Sequence, residues 1–430
     1  MMINEPINST ELIQTQSITP LKRLMVAFIF GEIGVYITML TPGIILLTLR
    51  VNELDPKNAI STFGWISGIT ALVALISMPI GGFISDRIRL KFGKRKTIIL
   101  IGVLLGVFSL MGMAVSTTIL MLGVFTWLTA AGTNMAQAGF SALLADQVEE
   151  SKRGSVSGII GVLAMCGMFV GMALVSIMAK ASNLEKFGAL AIASIIGTII
   201  ACILIKDTPA ERRNSEKSGE NKIPFRKVIS SIFPSPRKYP IFTWGILTRF
   251  CVTVASCATA YSSMMLIQRY HYSQEAATHL TGILQFAGLP AMMISSILGG
   301  MLSDKIRKQK IFVMVSPIVV GLALVLMGFA SNFTTVFVAT IIIQFGFGIY
   351  TSVDGALTVR ILPKKEDYAK DMGIMNIASS LPQSIVPFIA PLLLGLGGWK
   401  FYFFFLAVFG LLSTLAVIPI PDLTRRPKEV

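Results

Sequence analysis

The chain has 430 residues, of which 53% are hydrophobic and 14% are charged, and its mean hydropathy is +0.74. Soluble globular domains contain about 25% charged residues, so this composition excludes a soluble globule and indicates a protein that buries its surface in lipid. The formal net charge is +15, but the basic residues lie between apolar segments, which favours membrane topology over nucleic-acid binding. We therefore expect the lipid bilayer as a partner and no nucleic acid.

Twelve segments are long and apolar enough to form membrane-spanning helices, which need about 20 mostly apolar residues. They form two groups of six. The first group comprises residues 23–50, 59–84, 97–115, 118–144, 155–180 and 187–205. The second group comprises residues 239–268, 276–302, 311–330, 334–360, 371–395 and 400–420. This pattern predicts an all-α membrane protein with 12 transmembrane helices in two six-helix bundles.

Polar segments divide the chain into domains. We expect an N-terminal tail over 1–22, a first bundle over 23–205, a linker over 206–238, a second bundle over 239–420 and a C-terminal tail over 421–430. The N-terminal tail has no apolar core, so we expect no cleavable signal peptide.

Lysine and arginine are distributed unevenly over this topology. Twenty-nine lie on the side that holds both termini, six lie on the opposite side and two lie within or at the ends of spans. Because basic residues concentrate on the cytoplasmic side of a membrane, we expect both termini in the cytoplasm and the protein in the cell (plasma) membrane.

A charged motif occurs once in each group of spans. Gly81–Lys96 reads GGFISDRIRLKFGKRK, and Gly299–Lys310 reads GGMLSDKIRKQK, beginning 218 residues later. Paired glycines let helices approach closely, and the aspartate with its basic neighbours forms a charged hairpin between two spans. A second similarity relates Ala142–Val148, at the end of span 4, to Ala356–Leu362, at the end of span 10. Two related six-span halves are what a pseudo-symmetric transporter requires.

These motifs resemble the signature loop of the major facilitator superfamily, which lies between helices 2 and 3 and recurs between helices 8 and 9. The long first loop, SDRIRLKFGKRK, looks like that of bacterial sucrose/proton symporter-like proteins and of glycoside–pentoside–hexuronide cation symporters. TMLTPGIILLTLRVNELDP in span 1 and NIASSLPQSIVPFIAPLLLG in span 11 are also similar to the sucrose-symporter-like group. The resemblance implies the superfamily fold, with spans 1, 4, 7 and 10 around a central cavity.

Three charged residues lie inside predicted spans, where a charge must face a cavity or a partner. Glu32 lies in span 1 with Tyr36 on the same helix face. We predict that it couples transport to protons, because its charge can change as a cavity dries or fills with water; a structural ion pair is the alternative. Arg249 in span 7 can fork onto a sugar or pair permanently with Glu32 or Asp354. Asp354, near the end of span 10, favours a gate salt bridge over a binding role.

Neutral amides inside spans suit a hydroxyl-rich solute, because they donate and accept hydrogen bonds. Their alternative role is to hold helices together. The predicted substrate-binding residues are Tyr36, Asn134, Gln137, Arg249, Gln285, Gln344, Tyr350, Asn376 and Gln383.

Charged residues at the cytoplasmic ends of spans are predicted to gate the cavity. By resemblance, Asp86 bonds the start of span 11, where free N–H groups favour an anion, and Arg87 and Arg95 complete the contact. Asp146 and Arg360 occupy equivalent positions in the two halves. The predicted gate residues are Gly82, Asp86, Arg87, Arg95, Asp146, Arg153, Asp304, Asp354 and Arg360.

The sequence thus predicts a secondary active transporter that works by alternating access, with proton-coupled symport of a sugar or glycoside as the preferred activity. The alternatives are a proton-coupled efflux antiporter for amphiphilic or drug-like compounds and a non-transporting receptor or scaffold. No phosphate-binding loop, nucleophile–base pair or metal cluster is recognisable, so we expect no enzyme, no catalytic or metal site and no cofactor. The proton gradient supplies the energy, sodium is the alternative ion, and we expect a monomer.

Overall fold

The computed structural model describes residues 19–87, 92–207, 237–306, 309–361 and 368–421. In these ranges every regular element is a helix, which confirms the all-α fold class predicted from composition. The linker expected over 206–238 and both tails lie almost entirely outside the described residues.

Six helices of spanning length form the first bundle. They are α1 Leu21–Leu54, α2 Ala59–Arg87, α3 Lys94–Val115, α4 Ile119–Gln147, α5 Glu150–Ile177 and α6 Asn183–Leu204. The second bundle begins with four more, α7 Pro240–Gln268, α8 Gln274–Ile306, α9 Gln309–Phe329 and α10 Phe333–Ile361. The helical stretch Tyr368–Val417 completes the bundle.

The final stretch consists of two helices joined at a glycine pair. It is 50 residues long, about 75 Å at 1.5 Å per residue, which is more than twice the thickness of the hydrocarbon core of a bilayer. Gly398 has φ 64° and ψ −163°, a conformation that is almost confined to glycine. The break at Gly397 and Gly398 separates α11 (368–396) from α12 (399–417). With Ile374–Val417 counted as one segment, the described chain has eleven helical segments long and apolar enough to span a membrane. The last of them contains α11 and α12, which correspond to predicted spans 11 and 12.

The described chain begins and ends on one face of the helix bundle. Thr19 Oγ1, just before α1, donates to the Lys206 carbonyl, just after α6, at 3.2 Å. Lys310 Nζ, at the start of α9, donates to the Ile418 carbonyl, just after α12, at 2.7 Å. We call this the terminal face, and the other the opposite face.

The repeated Gly-Gly motif has the same packing role in both bundles. A Cβ on Gly81 of α2 would lie 2.8 Å from the Met135 Cα of α4, and a Cβ on Gly299 of α8 would lie 3.2 Å from the Ile349 Cα of α10. The first glycine of each motif therefore allows two backbones to approach closely. Gly82, the predicted gate glycine, has open space where a Cβ would be added.

The two bundles meet near the opposite face. A Cβ on Gly64 of α2 would lie 2.6 Å from the Pro387 carbonyl oxygen of α11. Beside this contact, the Phe63 and Tyr261 rings pack edge to face with centroids 4.9 Å apart. Helices α5 and α8 make the second contact, where a Cβ on Gly282 would lie 2.7 Å from Ser176 Oγ. Close backbone packing thus joins the halves at this end.

We predict that Gly102→Leu destabilises the first bundle. Gly102 of α3 faces Gly132 of α4, and a Cβ on either glycine would lie 2.5 Å from the carbonyl oxygen of the other. Because backbone cannot move aside as a side chain can, the free energy of unfolding should fall by about 1–3 kcal/mol or more. The measurement is the thermal midpoint of purified protein in detergent.

The control for this prediction is Gly161→Leu in α5, because a Cβ at Gly161 meets nothing within 4 Å. An equal loss of stability in both variants would contradict the packing argument, since it would reflect only the change from glycine to leucine in a helix.

Candidate functional site

A cavity of about 1480 Å³ lies between the two bundles. Its walls come from α1, α2, α4 and α5 of the first bundle and from α7, α8, α10 and α11 of the second. Toward the opposite face it ends at the packed side chains of Phe63 and Pro387, and toward the terminal face its lining continues to Pro79 and Asp354. The exposed side chains of Asn376 and Gln383 show that solvent reaches the wall of α11.

The polar part of the lining is concentrated on the second bundle. The first bundle contributes Ser67, Thr70, Thr126, Asn134 and Ser141, and the second contributes Arg249, Thr253, Ser256, Thr259, Gln285, Gln344, Tyr350, Thr351, Asp354, Asn376, Ser379, Ser380 and Gln383. Arg249 and Asp354 are the only charged residues in the described lining. Since they have opposite signs, the cavity wall carries no net charge.

Arg249, Asp354 and Tyr350 form one connected group. Arg249 Nη2 lies 2.7 Å from Asp354 Oδ2, and Tyr350 Oη donates to Asp354 Oδ1 at 2.7 Å. Tyr350 and Asp354 are four residues apart on α10, so they share a helix face, and Arg249 reaches them from α7. Pairing compensates for the cost of removing the two charges from water. Arg249 Nη1 is buried and has no hydrogen-bond partner in the described structure.

The sequence predicts a gate salt bridge for Asp354. In the structure its carboxylate lies at the terminal-face end of the cavity lining, with the side chain 10% exposed and paired, and its role as a gate stays a prediction. Its partner is Arg249. The sequence left two permanent partners open for that arginine, Glu32 and Asp354, and in the structure the partner is Asp354.

Seven of the nine predicted substrate-binding residues line this cavity. They are Asn134, Arg249, Gln285, Gln344, Tyr350, Asn376 and Gln383. Helix packing positions some of them directly: a Cβ on Gly288 of α8 would lie 2.8 Å from Gln344 Cγ, so that side chain packs against α8 where the glycine leaves room.

Glu32, Tyr36 and Gln137 are outside the cavity lining. Glu32 is fully buried inside the first bundle, where Gln137 Nε2 donates to its Oε1 at 3.5 Å. Glu32 Oε2 and Gln137 Oε1 have no hydrogen-bond partner in the described structure. Tyr36 packs on α5, where a Cβ on Gly167 would lie 2.7 Å from its Cβ. The predicted proton carrier is therefore sealed from the cavity in this conformation.

Four helices of the first bundle are tied together at the terminal face. Arg95 Nε, at the start of α3, lies 2.7 Å from Asp146 Oδ2 near the end of α4, and its Nη1 donates to Ser85 Oγ of α2 at 2.8 Å. Asp207, just after α6, accepts the backbone N–H groups of Arg95 and Lys96 at 2.7 and 3.1 Å. A carboxylate here satisfies free N–H groups and the dipole of α3.

Sequence reasoning assigned Asp207 to the linker and missed its role. The available signal was a glycine, Gly93, immediately before a basic helix start, which marks a helix N-terminus in need of an anion. In the structure, Gly93 has φ 101°, and a Cβ there would clash with the Asp207 side chain.

The other predicted gate residues have varied surroundings. Arg153 closes the end of α4, donating to the Val148 carbonyl at 2.9 Å and the Ala145 carbonyl at 2.8 Å. The Arg87 guanidinium lies 3.8 Å from the centroid of the Phe83 ring. The side chains of three further gate residues lie outside the described structure: Asp86, Asp304 and Arg360.

Three solved structures share this fold. A D-xylose–proton symporter aligns with a TM-score of 0.68 at 14% identity, over 93% of this chain and 97% of its own. A POT family transporter in complex with a thioalcohol-conjugated peptide aligns with a TM-score of 0.69 at 14% identity, over 94% and 96%. A mutant of the nucleoside transporter NupG aligns with a TM-score of 0.68 at 14% identity, over 92% and 99%.

Comparison by sequence gives the family directly. No curated protein matches the chain, but the family model described as Major Facilitator Superfamily matches residues 24–363 and 287–429. These matches cover most of the chain and include both bundles. The protein therefore belongs to the Major Facilitator Superfamily, whose members are secondary transporters of small solutes and not enzymes.

Proposed function

We propose that the protein is a proton-coupled symporter that imports a sugar or glycoside through the plasma membrane as a monomer. The observation that carries the proposal is the chemistry of the cavity wall, in which one internally paired charge, Arg249–Asp354, is surrounded by neutral amides and hydroxyls. By their names, the three similar structures are a sugar symporter, a transporter bound to a peptide conjugate and a nucleoside transporter. The fold alone therefore does not identify a solute.

The wall favours an uncharged solute. An ionic solute would leave one charge uncompensated in a site of low dielectric, which is costly. A sugar instead offers hydroxyl groups that both donate to and accept from the cavity-lining amides of Gln285 and Gln344. A bound sugar can thus satisfy the polar wall without breaking the ion pair.

The distribution of basic residues supports the direction of opening. Their excess on the terminal face supports a cytoplasmic location for that face, and the contacts between halves that involve Gly64 and Gly282 lie near the opposite face. The described conformation is then inward-facing. Transport requires these contacts to separate while the terminal face closes, and the signature-loop residues Asp86 and Arg87 are proposed to hold that second state.

Glu32 is the proposed proton carrier. Its carboxylate contacts a neutral amide, Gln137, whereas the other buried carboxylate, Asp354, is committed to Arg249. A group that must gain and lose a proton during each cycle is better placed where no permanent cation holds it charged.

The efflux antiporter is the second candidate. The first-bundle side of the cavity is largely apolar, with Met39, Leu75 and Met78 in its wall, and such a surface suits an amphiphilic compound.

The first prediction concerns coupling. In proteoliposomes that contain a pH-sensitive dye, one sugar or glycoside from a panel should acidify the lumen, and Glu32→Gln should abolish this signal while leaving sugar exchange across the membrane intact. Glu275→Gln, a variant of an exposed carboxylate at the start of α8, should behave as the unmodified protein.

Three outcomes would revise the proposal. Uptake that requires sodium and moves no protons would show that sodium, and not the proton, is the coupling ion. Exchange of cationic amphiphiles against a proton gradient, with no response to sugars, would establish the efflux alternative. Full proton uptake by Glu32→Gln would remove Glu32 from the mechanism.

The second prediction concerns the paired charge. In our proposal the Asp354 carboxylate orients Arg249 for the solute. Tyr350→Phe removes one hydrogen bond to this carboxylate, worth about 1.5–3 kcal/mol. The affinity for the solute should therefore fall about tenfold to a hundredfold. Tyr272→Phe is the matched control, because Tyr272 lies beyond the opposite-face end of α7 and outside the cavity lining. The measurement is the dissociation constant of the transported solute.

The third prediction concerns the folding yield of variants of this pair. Asp354→Asn alone should fold in lower yield than the double variant Asp354→Asn with Arg249→Gln, because the single change leaves a lone buried charge that costs about 3–5 kcal/mol. Both proteins should fail to bind solute. Recovery of binding in the double variant would show that the ion pair is structural only.

A further inference from the structure

The two walls of the cavity differ in chemistry as well as in origin. On α2 the lining residues Ala71, Ala74, Leu75 and Met78 recur at i, i+3, i+4 and i+7, which is one continuous face of a helix. Helix α1 extends this surface with Met39, Leu40, Ile44 and Leu47. No charged side chain lies in the described lining of the first bundle.

Polar groups of the first-bundle wall are largely used within their own helices. Asn134 Nδ2 donates to the Ala130 carbonyl at 2.8 Å, and Thr70 Oγ1 donates to the Ile66 carbonyl at 2.7 Å. Thr126 Oγ1 likewise donates to the Leu122 carbonyl, one helical turn earlier, at 2.7 Å. Only five of the nineteen described lining residues of the first bundle are polar, namely Ser67, Thr70, Thr126, Asn134 and Ser141, so this wall presents mainly hydrocarbon.

The second-bundle wall is much richer in polar residues, which make up thirteen of its twenty described lining residues. Its serine and threonine hydroxyls also bond within their own helices, so the side-chain amides are its main groups for a ligand. The amide groups of Gln285, Gln344 and Asn376 line the cavity, and each comes from a different helix. They line one cavity from three helices, so a polar ring of a solute on this wall has several amides with which to form hydrogen bonds.

The size of the cavity fits a solute with two parts. Pockets for drug-sized ligands measure about 300–1,000 Å³, and this cavity of about 1480 Å³ is larger than one sugar ring would fill. A sugar alone on the polar wall would face bare hydrocarbon across the cavity. A solute with an apolar substituent would cover that hydrocarbon and exclude water from it.

We propose that the preferred solute is an amphipathic glycoside, with its sugar on the second-bundle wall and an aryl or alkyl aglycone on the α1–α2 wall. This inference rests on the proposed sugar or glycoside transport and specifies its substrate class. Leu75 and Met78 are the specificity-determining residues for the aglycone, and Arg249 with the amides binds the sugar.

The test compares glycosides that share one sugar and differ in the aglycone. For each sugar in a panel, the methyl and phenyl glycosides are titrated against purified protein and then assayed for proton uptake in proteoliposomes. The phenyl glycoside should bind about tenfold to fiftyfold more tightly, as expected when about 60–90 Å² of apolar surface leaves water. Equal affinities for every sugar would overturn the inference.

Variants locate the effect on the wall. Leu75→Ala combined with Met78→Ala should reduce the phenyl-to-methyl affinity ratio to about threefold or less, because less apolar surface remains to be buried. Leu72→Ala combined with Ile76→Ala is the matched control: these residues belong to the same helix but lie outside the cavity lining, 46% and 58% exposed. The control should keep the full ratio. An unchanged ratio in the wall variant would overturn the proposed position of the aglycone.

Failure of the proposed function gives a different result. If methyl glycosides drive proton uptake as well as phenyl glycosides do, sugar symport stands and the amphipathic preference is wrong. If no glycoside drives proton uptake and benzyl alcohol or phenol is exchanged against a proton gradient, both the sugar function and this inference are wrong.

Discussion

The structure depends on how two interrupted helices are hydrogen-bonded inside the membrane, where backbone groups cannot turn to water. In α1 the segment Pro42–Leu46 is a π-helix, and in α7 the segment Cys257–Tyr261 is a 3₁₀-helix. The two regions meet, because Ser263 Oγ lies 3.2 Å from the Ile44 carbonyl and 3.0 Å from Thr281 Oγ1. A carbonyl in an irregular turn of one bundle thus receives its donor from the other bundle. This contact closes the end of the cavity and makes the cavity one-sided.

The irregular segments of α1 and α7 also occupy related positions in the two halves. The 218-residue spacing of the charged motif places the equivalent of Pro42–Leu46 at 260–264, which overlaps the 3₁₀ segment of α7. The halves nevertheless differ in chemistry: the first contains the sealed Glu32–Gln137 contact, and the second contains the exposed polar wall. Equivalent backbones therefore supply the symmetry that rocking requires, while different side chains separate ion binding from solute binding in our proposal.

Much of the fold was predictable because lipid restricts what a chain can do. Hydropathy located every span, and the break at Gly397 and Gly398 falls between predicted spans 11 and 12. Rotation of a helix about its axis was harder to predict. Most faces of α1 are apolar, so nothing in the spacing of Glu32 reveals that it faces α4 and not the cavity. Several of the binding candidates that do line the cavity belong to polar helix faces, such as Asn376 and Gln383 with Ser379 and Ser380 on α11. The Asp207 contact with α3 depends on a tertiary contact that local sequence does not specify.

Helix α1 connects the two proposed sites. Glu32 and the lining residues Met39 and Leu40 lie on one regular segment, before the irregular segment that begins at Pro42. They therefore move as one unit, and the irregular segment is where α1 can bend, because irregular turns concentrate bending. In our proposal, a solute bound against Met39 and Leu40 shifts the packing of α1 on α4, and hence the contact that seals Glu32. By linkage, a proton that alters the same packing changes solute affinity by the same factor. Coupling then needs no direct contact between proton and solute, only one helix whose position both of them bias.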